Sequence, residues 1–142
     1  MIKTYINSLD ADDFHFLYSS VGWNAPPKPQ IKKALENSLY TICIKDSGKP
    51  IGMGRLIGDG SMAFTVKDVA VLPSHQRKGI GKMILETMMK YIKECTPQGQ
   101  HICVELFSGY EKEAFYEQFG FDKKPDGFVG YGMMTLVTGK KI

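Results

Sequence analysis

Apolar residues recur along this chain in two rhythms, and the switches between them divide it into elements. Residues 2–7 alternate as a short first strand. Asp10 then reads as a helix cap, with Asp12 and Asp13 in the first turn, where carboxylates suit the helix dipole. Phe14, Leu17, Tyr18 and Val21 fall at i, i+3, i+4 and i+7, which gives this helix one apolar face. Gly22 ends it, and Asn24-Ala25-Pro26-Pro27-Lys28-Pro29 forms a stiff, non-helical connector. A second short helix is predicted over residues 30–37, turning Ile31, Ala34 and Leu35 inward.

Three strands follow, over residues 39–45, 50–57 and 62–72. The turns between them, Asp46-Ser47-Gly48-Lys49 and Gly58-Asp59-Gly60-Ser61, are too short to house a crossover helix, so an antiparallel meander is predicted. From Gly79 the rhythm becomes helical: Ile80, Met83, Ile84, Thr87, Met88, Tyr91 and Ile92 share a face, and Pro97 and Gly99 close the segment. Residues 101–107 return as a strand, 111–119 as a helix, Phe121 opens an extended stretch, and 131–138 form a last strand. The predicted fold is α/β (α+β), in the order βααβββαβαββ. The strands at 62–72 and 101–107 run parallel around the long helix, within one domain over residues 1–142.

Composition narrows the chemistry. A chain of 142 residues suffices for a core without disulfide or metal staples. Its net charge of +3 suits an anionic small molecule and falls short of a nucleic-acid footprint. Cys43, Cys95 and Cys103 show no metal-binding spacing, and Cys43 and Cys103 lie in apolar runs, so buried free thiols are expected. No run is long and apolar enough for a bilayer, and the N-terminus lacks a signal-peptide pattern. The expectation is a reduced, cytoplasmic setting with neither nucleic acid nor membrane as a partner, as a monomer or homodimer.

The most informative stretch is Asp68-Val69-Ala70-Val71-Leu72-Pro73-Ser74-His75-Gln76-Arg77-Lys78-Gly79-Ile80-Gly81-Lys82. A strand ends at Pro73, and a polar loop with two glycines opens a long helix. Glycine permits close backbone approach, the free N–H groups of the first turn favour an anion, and Arg77, Lys78 and Lys82 add cations. A phosphate or pyrophosphate is the natural guest. A nucleotide P-loop aligned on Gly81-Lys82 puts Gln76 at its first glycine and Met83 at its hydroxyl position. A dinucleotide fingerprint aligned on Gly79 and Gly81 puts Ile84 at its third glycine and arrives after a meander. Both patterns fail.

Gln76-Arg77-Lys78-Gly79-Ile80-Gly81 instead resembles the Gln/Arg-x-x-Gly-x-Gly/Ala motif of the GNAT N-acetyltransferase superfamily. Ala114-Phe115-Tyr116-Glu117-Gln118-Phe119-Gly120-Phe121 looks like that family's second signature. The resemblance implies a sheet that splays into a V between residues 62–72 and 101–107, holding acetyl-coenzyme A (acetyl-CoA) and no metal. It implies that Gln76, Arg77, Lys78, Gly79, Ile80, Gly81 and Lys82 hold the pyrophosphate. Val69, Ala70 and Val71 would pair with the pantetheine arm, and Ser108 and Phe115 would also touch the coenzyme. The implied activity is acetyl transfer to a primary amine of a small molecule by direct attack through a tetrahedral intermediate. Acetylation of a protein lysine or N-terminus, or a catalytically silent acyl-CoA-binding module, are the alternatives.

Within that resemblance Tyr116 is the candidate acid for the departing thiolate, since a phenol is protonated at neutral pH. Asp68 and Glu105, on the two strands flanking the V, are candidates for the base, with Asp68 preferred. The oxyanion falls to a backbone N–H near Val71. Tyr18, Trp23 and Phe64 are expected at the acceptor pocket, where aromatics suit an amine with an apolar or ring-bearing body. His75 adjoins the motif as an exposed loop histidine, and nothing links it to His15 or His101 as a metal or nucleophile site.

Overall fold

The computed structural model of the chain describes residues 1–139. Its sheet has five strands in the order β1-β2-β3-β4-β5: Ile2–Ile6, Tyr40–Asp46, Lys49–Gly58, Ala63–Val71 and Cys103–Glu105. The first four pair antiparallel, and β5 joins β4 in parallel, as the meander and the crossover predict. The fold class is the expected one, a mixed and mostly antiparallel sheet flanked by helices. Helices α1 (Ala11–Ser20) and α2 (Lys28–Glu36) precede the meander, and α3 (Ile80–Glu94) carries the crossover.

Strand parity assigns the helices to opposite faces. Cys43 and Met53 point one way, into a cluster with Leu9, Phe14, Leu17 and Ile31 from α1, α2 and the segment before them. Gly52 and Gly54 point the other way, under α3. A Cβ built on Gly52 would lie 2.8 Å from Ile80 Cγ2, and one on Gly54 2.9 Å from Ile84 Cγ2. The two glycines therefore let α3 settle onto the strand. Ile80, Ile84, Leu85, Met88 and Ile92 are buried there, each contributing roughly 1.5–3 kcal/mol relative to exposure.

The chain gathers into two units, Met1 to Leu106 and the residues from Phe107 onward. The second contains α4 (Glu113–Glu117), shorter than the predicted 111–119. The extended stretch after Phe121 and the last strand over 131–138 do not form: no residue from 121 to 139 lies in a ladder. Pro125, Gly127, Gly130 and Gly132 interrupt the approach to that run, and the Asp126 carboxylate turns the chain by accepting the amides of Phe128 and Val129 at 3.0 and 2.9 Å. A β-branched and aromatic composition fits a strand only where a partner edge completes its hydrogen bonds.

Strand β5 is also shorter than its predicted 101–107. Its register covers only Ala63↔Cys103, Phe64↔Val104 and Thr65↔Glu105. Cys103, expected to be buried, is exposed, because a three-residue edge strand leaves it uncovered. Cys43 is buried as expected, and burial pushes its thiol up to about 11.

Candidate active site

Beyond Thr65, β4 runs on to Val71 with β3 on one side and, among the described residues, no ladder on the other. That unpaired edge is the backbone expected to meet the pantetheine arm. It includes Val69 and Val71, both half-buried, and Ala70, whose side chain joins the core. A 3-10 turn over Pro73–His75 follows. The Gln76 side chain then reaches back and donates from Nε2 to Val71 O at 3.0 Å, fastening the loop to the strand end.

The loop itself is left-handed twice, at Arg77 (φ 62°) and at Gly79 (φ 83°). Gly79 occupies the N-cap of α3 with no capping side chain. The helix ladder begins with Met83 N–H onto Gly79 O at 3.0 Å, so the amides of Ile80, Gly81 and Lys82 have no acceptor within the helix. Arg77 and Lys78 are exposed and, among the described residues, make no ion pair, while Lys82 pairs loosely with Glu86 at 3.7 Å. Free first-turn amides plus unneutralised cations make a donor set that fits a diphosphate.

Asp68 lies within this edge, in an irregularity that its sequence does not advertise. The β3–β4 register pairs Arg55 with Lys67 and Met53 with Ala70, so Asp68 and Val69 together face Gly54. This is a β-bulge, and Asp68 supplies its left-handed residue at φ 56°. Aspartate tolerates that region better than most side chains. The extra residue inverts strand parity, so Lys67 and Ala70 share the α1/α2 face. Asp68 Oδ2 accepts from Arg55 Nε at 2.5 Å, with both side chains largely buried.

Tyr18 on α1 lies beside this ion pair. Burial, and then the charge of Asp68, raises its phenol above the usual tyrosine value. It stacks on Phe14 at 5.3 Å and takes the edge of Trp23 at 5.0 Å, and Trp23 is 40% exposed. Tyr18 and Trp23 thus form an aromatic surface next to a carboxylate. Phe64, expected with them, is instead a core residue: it is 1% exposed and meets Tyr91 edge-on at 6.3 Å. Phe64 pairs with Gly58 across β3–β4 and with Val104 in β5, so strands cover it on both sides.

Within the second unit, Tyr116 and Phe115 are adjacent on α4. Tyr116 meets the edges of Phe115 at 5.1 Å and Phe121 at 6.2 Å, and burial raises its pKa. Ser108 donates to Gly109 O at 2.8 Å. Glu105 is exposed at the end of β5. His75 turns inward more than a free loop residue, with Nε2 at 3.3 Å from Asp46 Oδ2 and Nδ1 at 2.8 Å from Ser74 Oγ. Among the described residues no three His, Cys, Asp or Glu side chains cluster as metal ligands.

A model of the acetyltransferase (GNAT) domain matches residues 36–123. The chain belongs to the GNAT acetyltransferase family. An uncharacterized N-acetyltransferase, ycf52, from Pyropia yezoensis is 32% identical over 118 residues, which cover 80% of this chain and 66% of the relative. The chain thus spans just under two thirds of that relative's length. A solved structure from meticillin-resistant Staphylococcus aureus, described as a protein of unknown function and "Probable Acetyltransferase", is 33% identical with a TM-score of 0.85. It covers 96% of this chain and 100% of its own. A GNAT family acetyltransferase of Streptococcus pneumoniae TIGR4 is 29% identical with a TM-score of 0.74, covering 94% and 100%.

The family match runs across β2, β3, β4, the loop, α3 and α4, and so includes both signatures. Arg55 was missed from the sequence. Its signal was present: it is the charged residue within the otherwise apolar run 50–57, and a charge in a central strand calls for a partner. A cavity of about 620 Å³ opens elsewhere, between the start of α1, the end of α2 and β2, lined by Asp10, Lys32, Glu36 and Thr41. It contains neither the glycine loop nor Asp68. An extended ligand lying along an open strand edge needs no enclosed cavity.

Proposed function

We propose that this protein transfers the acetyl group of acetyl-CoA to the primary amine of a small molecule. The observation carrying the proposal is the unpaired edge of β4, which leads through the 3-10 turn and the glycine loop to the amide-rich start of α3. One extended molecule with a diphosphate at one end and amide groups along its arm matches both. The aromatic pair of Tyr18 and Trp23 beside Asp68 supports an acceptor with an apolar body and a cationic head.

In this reading Asp68 takes a proton from the incoming ammonium, directly or through water. The neutral nitrogen then forms its bond to the acetyl carbon, and an N–H near Val71 bonds the developing oxyanion. Collapse breaks the carbon–sulfur bond as Tyr116 supplies the proton to the departing thiolate, and the second proton of the attacking nitrogen passes through water to the tyrosinate, which leaves a neutral amide, a thiol and a restored phenol. Alignment of the two reactants accounts for much of the gain, since well-oriented sites supply roughly 7–11 kcal/mol.

The test follows thiol release from acetyl-CoA over a panel of small amines and lysine peptides. Turnover on small aromatic or alkyl amines is expected. Turnover confined to peptides would transfer the reading to protein acetylation. Thermal stabilisation by the coenzyme with no turnover on any acceptor would leave a binding module, and stabilisation by ATP alone would sink coenzyme recognition altogether.

A further inference from the structure

We propose that Arg55 is the positioning residue of this site: its guanidinium aims the Asp68 carboxylate and couples it to the end of α2. The inference rests on the reading of Asp68 as the proton acceptor given above. Asp68 at φ 56° holds a left-handed backbone conformation that non-glycine residues seldom adopt. Such a conformation persists only where surrounding contacts determine it. The contact here is Arg55, which donates from Nε to Asp68 Oδ2 at 2.5 Å.

Arg55 uses its fork for a second bond. Nη1 donates to Ser38 Oγ at 3.2 Å, and Ser38 Oγ donates to Ala34 O at 2.8 Å in the last turn of α2. A chain of hydrogen bonds therefore runs from the α2 terminus through Ser38 and Arg55 to Asp68. It passes Tyr18, whose phenol feels both charges of the pair. Oδ1 of Asp68 has no partner among the described residues, so one oxygen is held and the other is available to a proton donor.

Geometry makes the arginine specific. The bulge turns Asp68 onto the α1/α2 face that Arg55 already occupies. A lysine at position 55 would carry the same charge on a single point and could not bond Asp68 and Ser38 in one fixed plane. Loss of either bond frees the carboxylate to rotate, and a misplacement of about 1 Å costs about 100-fold in rate.

The experiment compares the wild-type protein with Arg55→Lys, Arg55→Ala and Asp68→Asn. It measures kcat, the KM for the amine, the KM for acetyl-CoA, and coenzyme affinity by calorimetry. The expected result is a kcat about 100-fold lower for Arg55→Lys, with coenzyme affinity within about twofold of wild type and Asp68→Asn equally impaired. Millimolar methylguanidinium should restore part of the rate to Arg55→Ala and none to Asp68→Asn. Wild-type kcat in Arg55→Lys, or a loss mirrored in coenzyme affinity and unanswered by methylguanidinium, overturns the positioning role while leaving acetyl transfer intact. If Arg55→Ala fails to fold, Arg55→Lys decides by its split between kcat and coenzyme affinity. A wild-type protein that releases thiol on no amine overturns the transfer reading itself, and the positioning role with it.

Discussion

The side-chain amide of Gln76 is bonded to the carbonyl of Val71, five residues back at 3.0 Å. This bond closes the 3-10 turn onto the end of β4, and it sets where the amides of Ile80, Gly81 and Lys82 open. The two halves of the proposed coenzyme contact, strand edge and helix start, are therefore one mechanical piece. Gln76→Ala should leave the fold intact, because the residue is exposed. One lost hydrogen bond of about 1 kcal/mol corresponds to roughly fivefold weaker coenzyme binding. Calorimetry with coenzyme A checks this, and unchanged affinity would show that the loop holds its shape without the bond.

Gly79 tests the same piece from the other side. A Cβ there meets no atom within 4 Å, so space does not require glycine; the backbone angle of 83° does. Gly79→Ala should cost roughly 1–2 kcal/mol at the N-cap of α3. Coenzyme affinity should fall with it, because the first-turn amides would reorient. A chemical denaturation curve together with a binding isotherm measures both, and a stable variant that binds normally would count against the loop as the anion site.

Much of this was legible in the sequence because it is written in periodicity. The meander shows as three strands with short turns, the crossover as a long helical face from Ile80 to Ile92, and the anion loop as glycines between them. The bulge at Asp68 left no such trace, since one extra residue inverts strand parity without altering composition. The burial of Phe64 is hidden from the sequence for a related reason. Its position near a turn suggested a surface, but only the pairing of Gly58 with Phe64 and of Phe64 with Val104 shows that strands enclose it. The absent last strand marks the limit of β-propensity, which describes residues that fit a ladder and cannot supply the partner.

Core packing under α3 gives a prediction independent of chemistry. Gly54 lies beneath Ile84 and Met88, and an added methyl would sit 2.9 Å from Ile84 Cγ2 and 3.1 Å from Met88 Cε. Gly54→Ala should destabilise the fold by roughly 1–3 kcal/mol through overpacking. Met88→Ala in the same chain should recover part of that loss, although it surrenders burial of its own. Urea unfolding of the single and double variants measures the coupling, and strict additivity would show that the contact is not the cause.

Alkaline stability should report on Cys43. Its thiol is buried and pushed from an ordinary 9.0 up to about 11. Above about pH 9 the unfolded chain releases this proton while the folded chain retains it, so stability falls as pH rises toward 11. Two pH units of such linkage amount to about 2–3 kcal/mol. Cys43→Ala should lower stability at neutral pH through the lost methylene-sized volume, yet flatten its decline between pH 9 and 11. Denaturation midpoints across that range decide the matter, and parallel curves for both proteins would exclude the thiol.

Loss of the Tyr116 hydroxyl should touch the rate and not coenzyme binding. Burial raises its pKa above the usual phenol value, so the hydroxyl stays protonated through neutral and mildly alkaline pH. If it donates to the departing thiolate, that donor is lost only above about pH 10, and no tyrosine limb should appear in the rate below it. Tyr116→Phe keeps the ring contacts with Phe115 and Phe121 and removes the proton alone. General-acid catalysis is worth about 100-fold at the low end, and thiolate is already a fair leaving group, so kcat should fall by about that factor or somewhat less. Coenzyme affinity should be unchanged, because the phenol acts only once the carbon–sulfur bond is breaking. Single-turnover thiol release at pH 7 and 9 separates the possibilities. An unaltered rate removes Tyr116 from the chemistry and leaves it as ring packing, whereas a loss of coenzyme binding without a loss of rate would make it a contact and not an acid.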